Sequence, residues 1–184
     1  MEVIVVLVIL AILAAILVPS MIGWIEKAEQ KAAVAEAQGI YKAAQAAVVE
    51  QYAVNPDFAA AASRYTYQGQ PRGRVSNNIL YRVQHHASDL NESPVDAAIA
   101  QAVLGYLNSE FYASAAYPLS SRQNPLGASV AQYEKQNKQP GINICYTLQG
   151  EIDFIEYGRD GVLIRLDHNG LTTSKDGSFT NAPN

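Results

Sequence analysis

Several features on which protein chemistry usually depends are scarce in this sequence of 184 residues. The one cysteine, Cys145, cannot close an intrachain disulfide, so a disulfide scaffold is excluded. Charged residues make up 16% of the chain and the net charge is −4, whereas a general nucleic-acid binder is basic over much of its surface. The sequence has no His, Cys and carboxylate cluster at metal-ligand spacing, no glycine-rich phosphate loop and no GxSxG motif. It therefore gives no support to an enzyme, and we expect neither a cofactor nor a metal.

Hydrophobic residues are concentrated at the start of the chain. Residues 3–18 read VIVVLVILAILAAILV, sixteen consecutive apolar residues. As one helix to residue 25, this stretch would be about 34 Å long, enough to cross the hydrocarbon core of a bilayer. Trp24 stands near its end, where an amphipathic ring suits the membrane interface. We therefore expect residues 1–25 to form a hydrophobic transmembrane helix. A cleavable signal peptide is disfavoured, because the basic start and the small-residue cleavage site are missing.

The helical pattern continues as an amphipathic segment over residues 26–54, which contain no proline and many Ala, Glu, Gln and Lys residues. Apolar residues recur there at spacings of three and four and form one stripe: Val34, Ala37, Tyr41, Ala44, Val48 and Tyr52. Asn55 and Pro56 should end the helix, because the residue before a proline is disfavoured in the helical region. Pro19 should bend the helix or melt it locally, and Gly23 weakens the same stretch.

Glu2 lies immediately before the apolar run. A carboxylate at membrane depth is unfavourable unless it is protonated or paired, so its presence indicates a functional contact. Since Lys27 is the first basic residue that follows, the same stretch of helix supplies no partner. The partner must come from another chain, a terminal amine or the membrane interface. The alternative is that Glu2 merely lies among lipid headgroups.

Residues 55–184 have the composition of a globular head. We expect residues 55–141 to be a helical and loop region. Ser93 as a cap, Pro94 at the first helical position and Asp96 in the first turn predict a helix over residues 93–108. A further helix is expected over residues 76–90, and the Ser, Gln, Asn, Pro and Tyr content of residues 111–141 predicts a long surface loop.

Strand patterning is confined to residues 142–168. Alternating apolar residues predict strands at 142–148, 152–157 and 162–166, joined by glycine-containing turns. Because about three antiparallel strands with one apolar face need a cover, the stripe on the helix is expected to pack on them. The predicted fold is therefore α+β, with a long N-terminal helix on a small antiparallel sheet and a polar tail from Thr172. Cys145 is expected to be a buried, inert thiol, the alternative being a bridge between chains.

Basic residues cluster in residues 58–88, which contain no acidic residue. The arginines of this patch are Arg64, Arg72, Arg74 and Arg82. Tyrosines are interleaved with them, so the patch fits contact with an acidic surface of a neighbouring subunit or binding of DNA or a surface polymer. Simple solvation is the third interpretation.

Candidate metal ligands do not form a recognisable site. His85 and His86 are adjacent, so on a helix they point about 100° apart and do not face one metal. Asp167, Asn169 and Asp176 lack the spacing of an EF-hand calcium loop.

The string EVIVVLVILAILAAILVPSMIGW resembles the N-terminal segment of mature type IV pilins and their pseudopilin relatives. The resemblance consists of a glutamate, an apolar tract and a proline seventeen residues after the glutamate, and Glu2 and Pro19 match that spacing. In this family a prepilin peptidase removes a short basic leader and methylates the new N-terminus. Since neither the leader nor the residues expected ahead of the glutamate are present, we expect Met1 to be an internal pilin residue rather than a translation start.

The resemblance implies a structural subunit that polymerises into a helical homo-oligomer, an extracellular type IV pilus on a bacterial or related prokaryotic surface, a fimbrium used in cell adhesion and motility. Residues 1–25 would then form the filament core after leaving the cytoplasmic (inner) membrane, in which the chain is single-pass before assembly. Glu2 would pair with the N-terminal amine of a neighbour and select its register, and Pro19 and Gly23 would mark where the helix loosens on assembly. The implied partners are the pilus assembly platform and the prepilin peptidase.

Two other functions stay open at this point. One is a pseudopilin of a type II secretion or DNA-uptake system, and the other is a membrane-tethered binding module that uses the arginine patch. The chain also departs from many pilins, whose C-terminal loop is closed by a disulfide that Cys145 alone cannot form.

Overall fold

The computed structural model describes residues 2–62, 65–76, 79–80, 83, 93–106, 130 and 140–174. The helices are α1 (Glu2–Val54), α2 (Phe58–Ala61) and α3 (Pro94–Tyr106). The strands are β1 (Tyr65–Tyr67), β2 (Gln70–Ser76), β3 (Gly141–Thr147), β4 (Ile152–Arg159), β5 (Val162–Asp167) and β6 (Gly170–Ser174). The described part of the chain is therefore α+β with an N-terminal helix, as predicted.

The chain divides into two units, Met1–Ala32 and Ala33–Asn184. The first unit consists of α1 residues, and the helix continues through Pro19 and Gly23. Local melting at Pro19 was therefore a wrong expectation, while a bend there stays a prediction. Within the described residues, no helix combines the length and the apolar character that crossing a membrane requires.

The second unit contains an antiparallel meander, in which the spatial order of the strands is their chain order, β1-β2-β3-β4-β5-β6. Strands β3, β4 and β5 confirm the three strands predicted from alternation. The register shifts after Cys145, which pairs with Phe154 while Tyr146 pairs with Ile152. Asp153 is therefore the extra residue of a β-bulge on β4.

In the described part of the chain the sheet has six strands, so the expected number of about three was wrong. Strands β1 and β2 lie in the stretch expected to be helix and loop, and β6 includes Thr172, where the polar tail was expected to begin. The sequence of β2, QPRGRVS, places arginine and glycine where an alternating pattern would need apolar residues. Strand β6 lies at the sheet edge and is mostly exposed, so its residues carry no apolar signal.

Two predictions about residues 55–141 are answered in part. The helix predicted over residues 93–108 is confirmed as α3, whose first turn is capped because Asp96 N donates to Ser93 Oγ over 3.3 Å. In the expected helix over residues 76–90, Ser76 belongs to β2, and Ile79, Leu80 and Val83 are helical. The other residues of that stretch lie outside the described part of the chain, as do nearly all residues of the loop expected over 111–141.

The core of the second unit lies between the helices and one face of the sheet. The buried residues of α1 are Ala33, Ala37, Ile40, Ala44, Ala47 and Val48. Of the predicted stripe, Ala37, Ala44 and Val48 are buried. Val34 and Tyr41 are partly buried against the core, and Tyr52 is 51% exposed, so the buried stripe is shifted toward Ala33, Ile40 and Ala47. The sheet contributes large apolar residues, which include Ile142, Ile144, Tyr146, Ile155, Tyr157 and Ile164.

The helix ends at Val54, before Asn55 and Pro56, as predicted.

Polar atoms at the edge of this core connect the helices to the sheet. The Tyr146 hydroxyl donates to Asp96 Oδ1, and the Tyr157 hydroxyl donates to Glu36 Oε2. The backbone N–H of Ile152 donates to Gln45 Oε1 over 3.2 Å. The two tyrosine bonds satisfy the polar ends of buried aromatic side chains, and the Gln45 bond satisfies a backbone N–H of β4, all of which would otherwise be unfavourable in the core.

A glycine on β2 allows the sheet to accommodate one of these tyrosines. Gly73 is the partner of Tyr146 in the β2–β3 register, and a Cβ at position 73 would overlap the Tyr146 ring. The ring is fully buried and its hydroxyl is bonded to Asp96, so it has little room to move.

We expect Gly73→Ala to lower the free energy of unfolding by about 2–3 kcal/mol, because the added methyl group forces Tyr146 out of its site. Urea unfolding of the chain in detergent micelles, followed by circular dichroism, measures this change. Gly105→Ala on α3 is the matched control, since a Cβ there meets nothing within 4 Å and alanine favours the helix. Equal stability of the two variants would contradict the packing argument.

Candidate functional site

The first candidate site is the exposed apolar surface of α1 within residues 3–25. The large apolar residues of this stretch are each exposed over half of their surface or more, from Leu13 at 50% to Trp24 at 77%. They are Val3, Ile4, Val5, Val6, Leu7, Val8, Ile9, Leu10, Ile12, Leu13, Ile16, Leu17, Met21, Trp24 and Ile25. An apolar surface of this extent indicates an interaction site, because soluble monomers rarely expose one.

The predicted assembly residues all belong to this unit. Glu2 is the first residue of α1, but its side chain and that of Pro19 lie outside the described part of the structure. At Gly23 a Cβ would meet nothing within 4 Å, so no close contact within the chain requires a glycine there. The roles of Glu2, Pro19 and Gly23 in assembly stay predictions.

The second candidate site is the arginine patch, of which Arg72 and Arg74 are described and Arg64 and Arg82 are not. Both described arginines lie on β2, on the face of the sheet opposite the core, which we call the outer face. Arg72 Nε lies 2.8 Å from Asp153 Oδ2, on the bulge of β4. Arg74 Nε donates to Asn143 Oδ1 over 2.9 Å, and its guanidinium lies 5.0 Å from the centroid of the Tyr65 ring.

These contacts bear on the proposed partners of the patch. Arg72 and Arg74 are only partly exposed, and each is bonded within its own chain. A charge reversal at Arg72 would break the ion pair with Asp153 as well as any external contact. It would therefore not isolate a surface role.

The outer face also contains a buried polar cluster that the sequence analysis missed. Asn143, Glu156 and Arg165 occupy neighbouring positions on β3, β4 and β5. Asn143 Nδ2 donates to Glu156 Oε2 over 3.1 Å, and Arg165 Nη1 lies 3.6 Å from Glu156 Oε1. All three residues are buried. The charged residues in the middle of β4 and β5 were visible in the sequence, but the register that joins them was not.

Aromatic side chains cover this cluster. Arg165 Nη2 donates to the Tyr67 hydroxyl over 2.8 Å, and the guanidinium lies 4.2 Å from the centroid of the Phe154 ring. The Tyr67 and Phe154 rings are 4.8 Å apart, centroid to centroid. Stacking of this kind keeps a guanidinium favourable away from water.

Burial changes the chemistry of two groups on the outer face. Burial raises the pKa of Glu156 to about 7, against the opposing effects of the Asn143 hydrogen bond and of the nearby Arg165 and Arg74 charges. Cys145 is buried beside Phe154, which confirms that part of the prediction, and burial raises the pKa of its thiol. The neutral thiol is a poor nucleophile, so Cys145 is inert while this face is folded.

Among the described residues, no group of three or more His, Cys, Asp or Glu side chains could hold a metal ion. Asp167 and Asn169 lie at the β5–β6 turn, where Asn169 N donates to Asp167 Oδ1 over 2.7 Å. His85, His86 and Asp176 lie outside the described part of the chain.

Comparisons with known proteins add no relative. No family model matches the sequence, and no curated protein and no solved structure matches the chain.

The Glu156 carboxyl should make the stability of the second unit depend on pH. Its pKa is about 7 in the folded chain against an ordinary value of 4.5, so the folded state binds this proton more tightly than the unfolded state does. The resulting stabilisation is fully present below pH 4.5 and is lost as the pH rises through about 7.

We therefore expect Glu156→Gln to remove a decline on the order of 1 kcal/mol per pH unit between about pH 5 and pH 7. Urea unfolding of the wild-type chain and the variant at several pH values measures it. Glu151→Gln, on an exposed turn, is the matched control and should keep the pH dependence of the wild type. An unchanged decline in Glu156→Gln would show that another group causes it.

Proposed function

We propose that this protein is a structural subunit that polymerises into an extracellular filament, a type IV pilus on a bacterial or related prokaryotic surface. The observation that supports it is the apolar surface of α1 through residue 25. Burial of a Val, Leu or Ile side chain contributes about 1.5–3 kcal/mol. The gain from covering this surface is therefore large enough to offset the entropy lost when chains associate.

A polymer explains the position of Glu2 better than a simple tether does. A membrane tether gains nothing from a carboxylate next to its apolar run. In a bundle of apolar helices, an unmatched carboxylate costs several kcal/mol, so only the register that pairs it is stable. We propose that Glu2 selects this register by meeting the terminal amine of a neighbouring copy.

The proposal includes a stage before assembly in which residues 1–25 lie in the cytoplasmic membrane. The support for this stage is the apolar run of residues 3–18 in the sequence. The assembly platform and a prepilin peptidase are the corresponding partners. The second unit has its own core of helix and sheet residues, so it can stay folded while residues 1–25 change surroundings.

Cryo-electron microscopy of filaments sheared from cells, with mass spectrometry of the subunit, tests the proposal directly. We expect long helical fibres built from this chain, with residues 3–25 in their core. Short, cell-bound assemblies would favour a secretion or DNA-uptake pseudopilin instead. A chain found only in membranes, with no assemblies, would favour the tethered binding module.

We expect Glu2→Ala to leave the amount of membrane-bound chain unchanged and to lower the yield of sheared filaments by about tenfold or more, because the register loses its ionic contact. Immunoblots of the membrane and sheared fractions measure both quantities. Glu2→Asp keeps the charge and should retain more assembly than Glu2→Ala. Normal filament yield from Glu2→Ala would remove the register role.

A further inference from the structure

The stretch of α1 directly after the apolar surface carries charges that are separated by sign around the helix. Glu26, Lys27, Glu29 and Lys31 are all exposed. At about 100° per residue, the two glutamates lie about 60° apart and the two lysines about 40° apart. The centres of the two pairs are about 150° apart, so the acidic and basic sides lie nearly opposite each other. We call residues 26–31 the charged belt.

Within the charged belt, the residues at helical contact spacing carry charges of the same sign. Glu26 and Glu29 are three residues apart, and Lys27 and Lys31 are four apart, so like charges are helical neighbours. Such pairs destabilise a helix by about 0.2–0.5 kcal/mol each, whereas opposite charges at the same spacings would stabilise it. No opposite charge stands three or four residues from any of the four in the sequence. A separation by sign therefore fits a partner outside this helix.

We propose that the charged belt is an assembly surface whose occupant is a second copy of this chain, with the acidic side of one copy against the basic side of the next. The inference rests on the proposed function, since it specifies how copies of the filament subunit meet. One face binding a different face is a heterologous contact, which repeats into rings or open filaments rather than closing as a dimer.

The charged belt can fix the rotation of a helix relative to its neighbour, which the apolar surface cannot do. The described side chains of residues 3–25 are apolar on all sides of the helix, so they favour association without fixing which side meets which neighbour. Charges contribute specificity and orientation more than affinity. A neighbouring helix in a wrong rotation would bring like charges together, and their repulsion would disfavour that rotation. The belt therefore sets the rotation of each copy about its helix, and exposed charges of this kind are weakened by salt.

Three variants of the full chain test this complementarity. E26K/E29K makes both sides basic, K27E/K31E makes both sides acidic, and E26K/K27E/E29K/K31E exchanges the two sides. We expect each double variant alone to lower the yield of sheared filaments by about tenfold or more, since like charges then face each other. Co-expression of the two double variants should restore filaments in which the two kinds of chain alternate. The quadruple variant should assemble alone, because its sides are again complementary.

Controls separate charge placement from net charge and from folding. E50K/E151K changes the net charge by the same amount as E26K/E29K, at exposed positions outside the belt, and should assemble normally. Circular dichroism of each purified variant should match that of the wild type. Raised salt should lower the wild-type yield and should raise that of each double variant, because screening weakens attraction and repulsion alike.

The possible outcomes distinguish the two proposals. Normal filaments from both double variants would overturn the inference and leave the proposed function standing. Failure of the folded double variants, with no rescue on mixing and none in the quadruple variant, would also overturn it, because the charges would then act on something other than a second copy. A wild-type chain that forms no filaments would overturn the proposed function and the inference together.

Discussion

Helix α1 satisfies its own backbone hydrogen bonds, so its side chains alone decide what it packs against. The character of those side chains changes along the helix. Within residues 3–25 the described side chains are apolar and exposed, and from Ala33 onward one stripe is buried. This stripe is covered by residues of the sheet and of α3. The apolar surface of the first unit still requires a cover, and this requirement is the basis of the proposed function.

Small residues on α1 determine how the head is packed. Four of the six apolar residues that α1 buries in the core are alanines, and a Cβ at Gly39 would overlap the Tyr106 side chain of α3. This leaves space for large sheet residues such as Tyr146 and Tyr157, whose hydroxyls reach Asp96 and Glu36. The core therefore packs small side chains of the helix against large side chains of the strands. Its hydrogen bonds lie at the edge, where the tyrosine hydroxyls are.

The sequence predicted those elements whose signal is local. The end of α1 at Asn55 and Pro56, the capped start of α3 at Ser93 and the alternation of β3 each depend on a few adjacent residues. The strands that were missed have no such signal. Strand β2 is held by pairing with β3, and its Gly73 is explained only by Tyr146, more than seventy residues away in the chain. The outer-face cluster depends on register across three strands, which hydrophobicity does not encode.

The same distinction applies to the charged residues. Arg72 and Arg74 looked like a free basic patch in the sequence because Asp153 and Asn143 are distant along the chain. In the fold they are bonded across the sheet, and Arg165 is likewise bonded and stacked. Before such an arginine could contact a neighbouring copy, its bonds within the head would have to break. The contact would therefore gain less free energy. The charges of residues 26–31 are exposed and separated by sign around the helix, so we place the specificity of assembly on α1 rather than on the arginines of β2.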